Sequence, residues 1–512
     1  MSVTCCAERG PKGADPVVSD TALSREQVPG LEHRLGAVRG RVHLEAGQAA
    51  AAARVVYAGM AAYAVLFVFA AVMHYSVFED LRLDNGNMVQ AIWSSLHGHV
   101  LETTTLNGHQ NSRLGFHVDP FLLLLAPLFW IWSSPLLLLV AQGLAVASGA
   151  LPVFWLARKH LGSPRAAAHF AFAYLLYPAT QFNAFTNGSD FHSVSLAIPL
   201  VLYAIWFLDE DRLVPFAVVA LLACTTKEEI PLAVGCLGIW YAVRKGRRLV
   251  GASIFAIGFG LTVFNFLWVI PHFSPTGADP YAWRYTSVGG SPKGIAHKLF
   301  TDPVAFAQAI ATGHKAVYLV LLFVPFLGLF LLEPLLFLGA APDLAINLLS
   351  NKPEQSTVLF QYTAGIVPFV VAASIFGVAR FKKHADRLSL WALAGAAAIA
   401  VYSPISVLPG DVKALGSPLV AAKSHALDLI PGGVPVSASN QLGGYLSERR
   451  YIYTFPYVRQ SRWIAVDVND PTYGDAAGFR HYLRKYEGNK AWRVVFSSNG
   501  VTVLHKRPLA KP

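Results

Sequence analysis

The chain has 512 residues, of which 54% are hydrophobic and 14% charged, whereas soluble proteins carry roughly a quarter charged residues. That balance excludes an ordinary soluble domain and points to an α-helical polytopic membrane protein. Lysine and arginine outnumber aspartate and glutamate 41 to 30, but much of the excess sits in short clusters between apolar runs, where it sets orientation in a bilayer, so no nucleic-acid partner is expected.

Residues 1–53 read as a mobile, basic cytoplasmic tail. No apolar run precedes Val55, which argues against a cleaved signal peptide or a lipoprotein signal. Cys5 and Cys6 lie in this leader and Cys224 and Cys236 in apolar segments, so no disulfide framework is visible. The transmembrane domain, 54–402, opens with a span from about Val55 to Met73 that emerges outside because the basic tail stays in.

An outer loop, 74–119, follows. It contains Phe78 to Trp93, FEDLRLDNGNMVQAIW, with three carboxylates, Glu79, Asp80 and Asp84, where the chain should leave the bilayer. A turn through Asp84-Asn85-Gly86-Asn87 leads into a helix in which Met88, Val89, Ile92, Trp93 and Leu96 recur at helical spacing, suited to the membrane interface. A carboxylate held there could act as a base on lipid-linked substrates; the plain alternative is that Asp84 caps a helix.

Pro120 to Trp132 is short for a crossing and reads as re-entrant or surface-lying, which leaves Arg158, Lys159 and Arg165, after the next span, on the inner side. Subsequent spans alternate so that Asp209 to Arg212, then Arg244, Lys245, Arg247 and Arg248, then Arg380, Lys382 and Lys383 are also inside. A second outer loop, 272–314, contains Arg284 and Lys293. The expected total is about eleven crossings, with the C-terminus outside. Residues 403–512 change texture: three short strand patterns, two helices and a hairpin about Asn499-Gly500 describe a small extracytoplasmic α/β domain.

The set LDNGNMVQAIW, RLGFHVDP, YLLYPATQFNAFTNGSDFHSVSLAIPL, KEE at Lys227 to Glu229, QYTAGIVPF and VPVSASNQLGGYLSERRYIYTFP resembles a bacterial family of polytopic membrane proteins catalogued as a domain of unknown function. That family is similar to the GT-C superfamily of polyprenyl-phosphate-sugar-dependent glycosyltransferases. The resemblance implies a GT-C-like fold and transfer of a sugar from a polyprenyl-phosphate donor to a glycan, lipid or protein acceptor at the outer face. It carries Asp84, Gly86, Gln90 and Trp93 as one motif, His117 and Pro120 as a second, Asp190, Phe191 and His192 as a third, and Lys227 with Glu228 as a fourth. The chain departs from the family pattern at Asn85, Val89, Asp119 and Ser193, and the missing acid at Val89 disfavours a mechanism needing two carboxylates on that helix.

In the charge-cluster topology Asp84, His117, Asp119, Asp190, His192, Lys227 and Glu228 all fall at the outer face, where ionisable groups tend to line functional cavities. Asp84 is the expected base, with Glu79 or Asp80 as runner-up, and Lys227 the expected phosphate-binding cation, with Arg284, Lys293 and Arg113 as further candidates. His117, Asp190 and His192 either orient substrate or hold a divalent cation; no spacing is diagnostic of a metal, so no ligand set is assigned. Each also has a structural reading, as interfacial hydrogen-bonding histidines or a helix-end ion pair. The competing functions are a lipid-linked glycan transporter or flippase, for which paired halves are missing, and a non-enzymatic membrane scaffold.

Overall fold

The computed structural model describes residues 29–185, 190–471 and 475–508; the leader up to residue 28 and Asn187 to Ser189 of the expected outer turn lie outside them. The chain divides into two compact units, 1–51 and 52–512. Residues 29–51 of the first are helical, and every described strand belongs to the second.

Four stretches are helical, long and apolar enough to cross a bilayer alone: Ala46–Ser76 within α1 (Pro29–Ser76), Pro135–Leu161, Arg248–Phe273 and Lys382–Ala414. The pair Pro303–Ile310 and Gly313–Phe326, bent by 59°, would make a fifth. The other apolar helices are shorter, and at 1.5 Å per residue a 15-residue helix reaches only about 22 Å, less than the roughly 30 Å hydrocarbon core. Against about eleven expected crossings, the described residues thus supply four or five of full length. Hydropathy counts apolar residues without seeing where helices break.

In chain order, α2 (Asn87–Leu96) is followed by a hairpin of β1 (Glu102–Thr104) and β2 (Gln110–Ser112). The expected re-entrant segment contains α3 (Leu122–Phe129), eight residues long. Next come α4 (Pro135–Ser148), α5 (Ala150–Leu161), α6 (Pro164–Leu176) and α7 (Pro178–Ala184). Serine caps followed by proline start α4 and α6: Ser134 Oγ accepts from the Leu136 amide and Ser163 Oγ from that of Ala166, satisfying donors the helix cannot use itself. Gly162, left-handed at φ 70°, ends α5.

The next four are α8 (Ala197–Asp209), α9 (Leu213–Cys224), α10 (Ile230–Arg244) and α11 (Arg248–Phe264). Glycine lets α10 and α11 approach at backbone distance: a Cβ on Gly238 would lie 2.3 Å from the Gly251 carbonyl oxygen, and one on Gly258 2.3 Å from that of Pro231. Such small-residue contacts drive helix association where lipid removes the hydrophobic incentive. Short helices then lead to α12 (Val367–Ala379).

Three of these helices share a polarity. His192 and Ser193 precede α8, Lys227 to Glu229 precede α10, and Tyr362 precedes α12, while at the other ends lie Asp209, Arg244 with Lys245, and Arg380. At those far ends Asp209 meets Lys159 at 2.7 Å, His160 at 2.8 Å and Lys245 at 3.2 Å. Glu333 meets Arg244 at 2.5 Å and Arg380 at 3.3 Å. Lys159, Arg244, Lys245 and Arg380, drawn from three of the clusters expected on one side, thus meet acids at this end of the helices.

The C-terminal part is built on a five-stranded sheet, order β4-β3-β5-β7-β6, from β3 (Val436–Ala438), β4 (Ile452–Thr454), β5 (Trp463–Asp467), β6 (Trp492–Ser498) and β7 (Val501–Lys506). β3 pairs in parallel with β4 and β5, and β7 antiparallel with β5 and β6. α13 (Asn440–Tyr445) follows β3, and α14 (Ala476–Glu487) lies between β5 and β6.

If the two helix ends face opposite sides of the bilayer, a chain stripped of Cys5, Cys6, Cys224 and Cys236 should report it. Lys293 and Lys383 are both exposed. A membrane-impermeant maleimide on intact cells should label Lys293→Cys, and Lys383→Cys only after permeabilisation.

Candidate active site

The stretch expected to turn at Asp84 to Asn87 is instead one turn of π-helix, Arg82–Gly86, running straight into α2. The N-cap of α2 is Gly86, with no side-chain cap, so Asp84 does not cap the helix. Wide turns of this kind recur at functional sites because they re-aim a side chain. Here Asp84 faces a cavity of about 550 Å³.

The cavity wall comes from segments far apart in sequence. Asp84, Asn87, His117, Asp119, His192, Lys227 and Arg284 all line it, with Thr103, Thr104, Arg113, Tyr281, Lys352 and Tyr362. Most are held by a partner behind them. Arg113 grips Asp119 through Nη2 at 2.7 Å and Nε at 2.9 and 3.0 Å, and Ser193 Oγ donates to the same carboxylate at 3.1 Å. His117 Nδ1 lies 3.0 Å from Glu228 Oε1, while the other Glu228 oxygen accepts from the Val118 amide. Lys227 pairs with Glu229 at 2.5 Å. Arg284 instead lies on the Tyr281 ring, 4.1 Å from its centroid, and Lys352 reaches the Tyr362 hydroxyl at 3.3 Å.

Charge in the cavity is tuned by burial. Desolvation raises the Asp84 carboxyl above its ordinary value, opposed by Lys352, Arg113 and His117. Asp190, a sequence candidate that is not in the cavity lining, is raised well above its ordinary value by burial first, then by Asp84 and Asp80. His192 is pushed well below its ordinary value by burial and then by the surrounding cations, which keeps its ring neutral at pH 7. Asp84, Asp190 and His192 each offer a donor atom, all within 4.8 Å of one another. Two carboxylates and a neutral imidazole could hold a divalent cation.

The remaining sequence candidates lie elsewhere. Glu228 supports His117 from behind the wall. Asp80 is fully buried and accepts from Asn85 Nδ2 at 3.2 Å, and Glu79 accepts from Gln441 Nε2 at 3.0 Å. Gln90 is also buried: it donates to Thr104 Oγ1 and the Arg449 and Arg450 carbonyls and accepts from the Thr104 amide. Trp93 stacks on His97 at 3.8 Å. None of these five is in the cavity lining. Lys293 is exposed, also outside it. The sequence reading missed Lys352, Tyr281 and Tyr362. Lys352 sits in a polar stretch with no motif, so only tertiary contacts could reveal it.

Arg113 and Asp119 are 7% and 2% exposed at their side chains. Breaking a buried pair strands the remaining charge, at a cost of about 3–5 kcal/mol. Arg113→Ala should therefore lower the thermal midpoint in detergent clearly, and more than Arg113→Lys, which keeps the charge.

Comparisons with other proteins agree with this architecture. Residues 77–503 match the family model described as "Predicted membrane protein (DUF2079)". No curated protein matches the sequence. Among solved structures, ArnT from Cupriavidus metallidurans bound to undecaprenyl phosphate aligns with TM-score 0.50 and 12% identity, covering 88% of this chain and 99% of that one. ArnT in the apo state aligns with TM-score 0.48 and 12% identity, covering 87% and 98%. At 12% identity the likeness to the lipid-bound structure is one of fold. With its match extending over residues 77–503, the chain belongs to the DUF2079 family of predicted membrane proteins.

Proposed function

We propose that this protein is a GT-C-type membrane glycosyltransferase that moves a sugar from a polyprenyl-phosphate donor to an acceptor hydroxyl at the extracytoplasmic face, with Asp84 as general base. The observation that carries the reading is the Asp84 carboxylate facing a cavity also lined by Arg113, Lys227, Arg284 and Lys352. The fold likeness supports the GT-C-like reading, and the lipid in the ArnT crystal structure, undecaprenyl phosphate, is itself a polyprenyl phosphate.

In this reading the acceptor oxygen attacks the anomeric carbon as Asp84 takes its proton, and the lipid phosphate leaves with the bonding electrons. The negative charge developing on that phosphate needs cations already in place. Lys227 and Arg113 are engaged by Glu229 and Asp119, so part of their charge is neutralised. Arg284 and Lys352 make no ion pair among the described residues and meet aromatic rings or hydroxyls instead. We therefore assign the phosphate to Arg284 and Lys352, with Lys227 behind them. Asp190 and His192 orient Asp84 or share a cation with it.

A transporter would need polar groups strung through the bilayer depth, whereas the charges along α8, α10 and α12 gather at the two ends. A scaffold has no use for the cavity.

Asp84→Asn should lower sugar transfer from a polyprenyl-phosphate donor by roughly 10²–10⁴-fold, the usual contribution of a positioned base; full retained activity would remove the base assignment. Because the base works ionised and its pKa is raised, transfer should fall as pH drops through a value above that of an ordinary exposed aspartate, about 3.9.

Lys352→Ala and Arg284→Ala should each weaken donor use while leaving the protein folded. Measured against donor concentration, unchanged kinetics in both would count against the phosphate assignment.

A further inference from the structure

The C-terminal domain contributes no residue to the cavity lining among the described residues, yet it holds the back of the Asp84 turn. The contact centres on Arg82, two residues before Asp84, in the same π turn and 1% exposed. Its guanidinium donates from Nη1 to Thr454 Oγ1 at 2.5 Å, from Nη2 to the Ile452 and Thr104 carbonyls at 2.7 and 2.6 Å, and from Nε to Ile452 again at 3.1 Å. One side chain thus ties the π turn to β1 of the outer loop and to β4 of the C-terminal sheet.

Two further features act on the same turn. The Leu83 amide, adjacent to Asp84, donates to Asn440 Oδ1 at 3.1 Å. Glycines let α13 approach the turn closely: a Cβ on Gly444 would lie 2.8 Å from the Asp80 carbonyl oxygen, and one on Gly86 3.1 Å from Gly444 Cα. A single π turn has few backbone hydrogen bonds of its own, here including Gly86 N–H to the Leu81 carbonyl at 3.0 Å, so contacts from outside weigh on its geometry.

We propose that Arg82 is a positioning residue for the reaction, and that the C-terminal domain serves as the clamp that keeps Asp84 aimed into the cavity. The proposal rests on Asp84 as the base. Arg82 touches no reacting atom; it acts through the turn. The bonds are charge-assisted and desolvated, so they are strong and directional, and lysine cannot reproduce the fork that spans two strands.

The test uses the full-length protein in nanodiscs, with hydrogen exchange of the amides of residues 81–92 and sugar-transfer kinetics measured together. Thr454→Val removes one hydrogen bond from Arg82 and leaves the residue in place, so it guards against simple misfolding. Arg82→Lys removes the fork. Losing a hydrogen bond to a charged group should speed exchange in this segment by roughly tenfold or more, with helices α8 and α10 unchanged, and should lower kcat while KM for the donor stays put. Arg82→Lys should show the larger effect on both readouts. Unchanged exchange in both variants would overturn the clamp, as would faster exchange with full kcat in an enzyme that Asp84→Asn inactivates. Full activity of Asp84→Asn would instead sink the parent reading while the exchange result still stood.

Discussion

A hydrocarbon layer offers no solvation to charge, so ionisable side chains must gather where the helices end. That constraint shapes this protein. α8, α10 and α12 each run from a polar or charged group at one end to a charged group at the other. At one end Asp209 and Glu333 are each met by more than one cation. At the other, carboxylates, imidazoles and cations share a cavity with Asp84.

The difference between the two ends matters for function. Mutually satisfied ion pairs hold helix ends together and leave little to offer a ligand, whereas cations resting on aromatic rings keep donors for one. Arg284 over Tyr281 and Lys352 beside Tyr362 are of the second kind. Desolvation raises the carboxyl of the half-buried Asp84, which stands on a backbone turn tied to β1 and β4 through Arg82. In the proposed mechanism that tie keeps the carboxylate aimed into the cavity.

Much of this was legible from residues alone. The membrane class followed from composition, the convergence of Lys159, Lys245 and Arg380 from the positive-inside tendency, and β5 from the apolar run Trp463 to Asp467. Of the seven residues that counting spans and motifs put at one outer face, Asp84, His117, Asp119, His192 and Lys227 line one cavity together with Arg284, while Asp190 and Glu228 are not in its lining. Less legible was anything set by long-range packing. Gln90 belongs to a recognisable motif, but a motif does not say whether a side chain points at substrate or at the Arg449 and Arg450 carbonyls. The π turn at Arg82–Gly86 reads as a turn because Asn85-Gly86 is a turn pair in most settings. The short helices look like spans because apolar composition says little about length. Lys352 stands in no pattern at all.

If the cavity beside Asp84 receives a lipid phosphate, an experimental structure of the protein in nanodiscs with undecaprenyl phosphate will show it directly. The phosphate should sit between the Arg284 guanidinium and the Lys352 ammonium, with the Asp84 carboxylate facing the same space. Lipid phosphate found instead at the far helix ends beside Arg244 and Arg380, with the cavity holding none, would contradict the proposed mechanism.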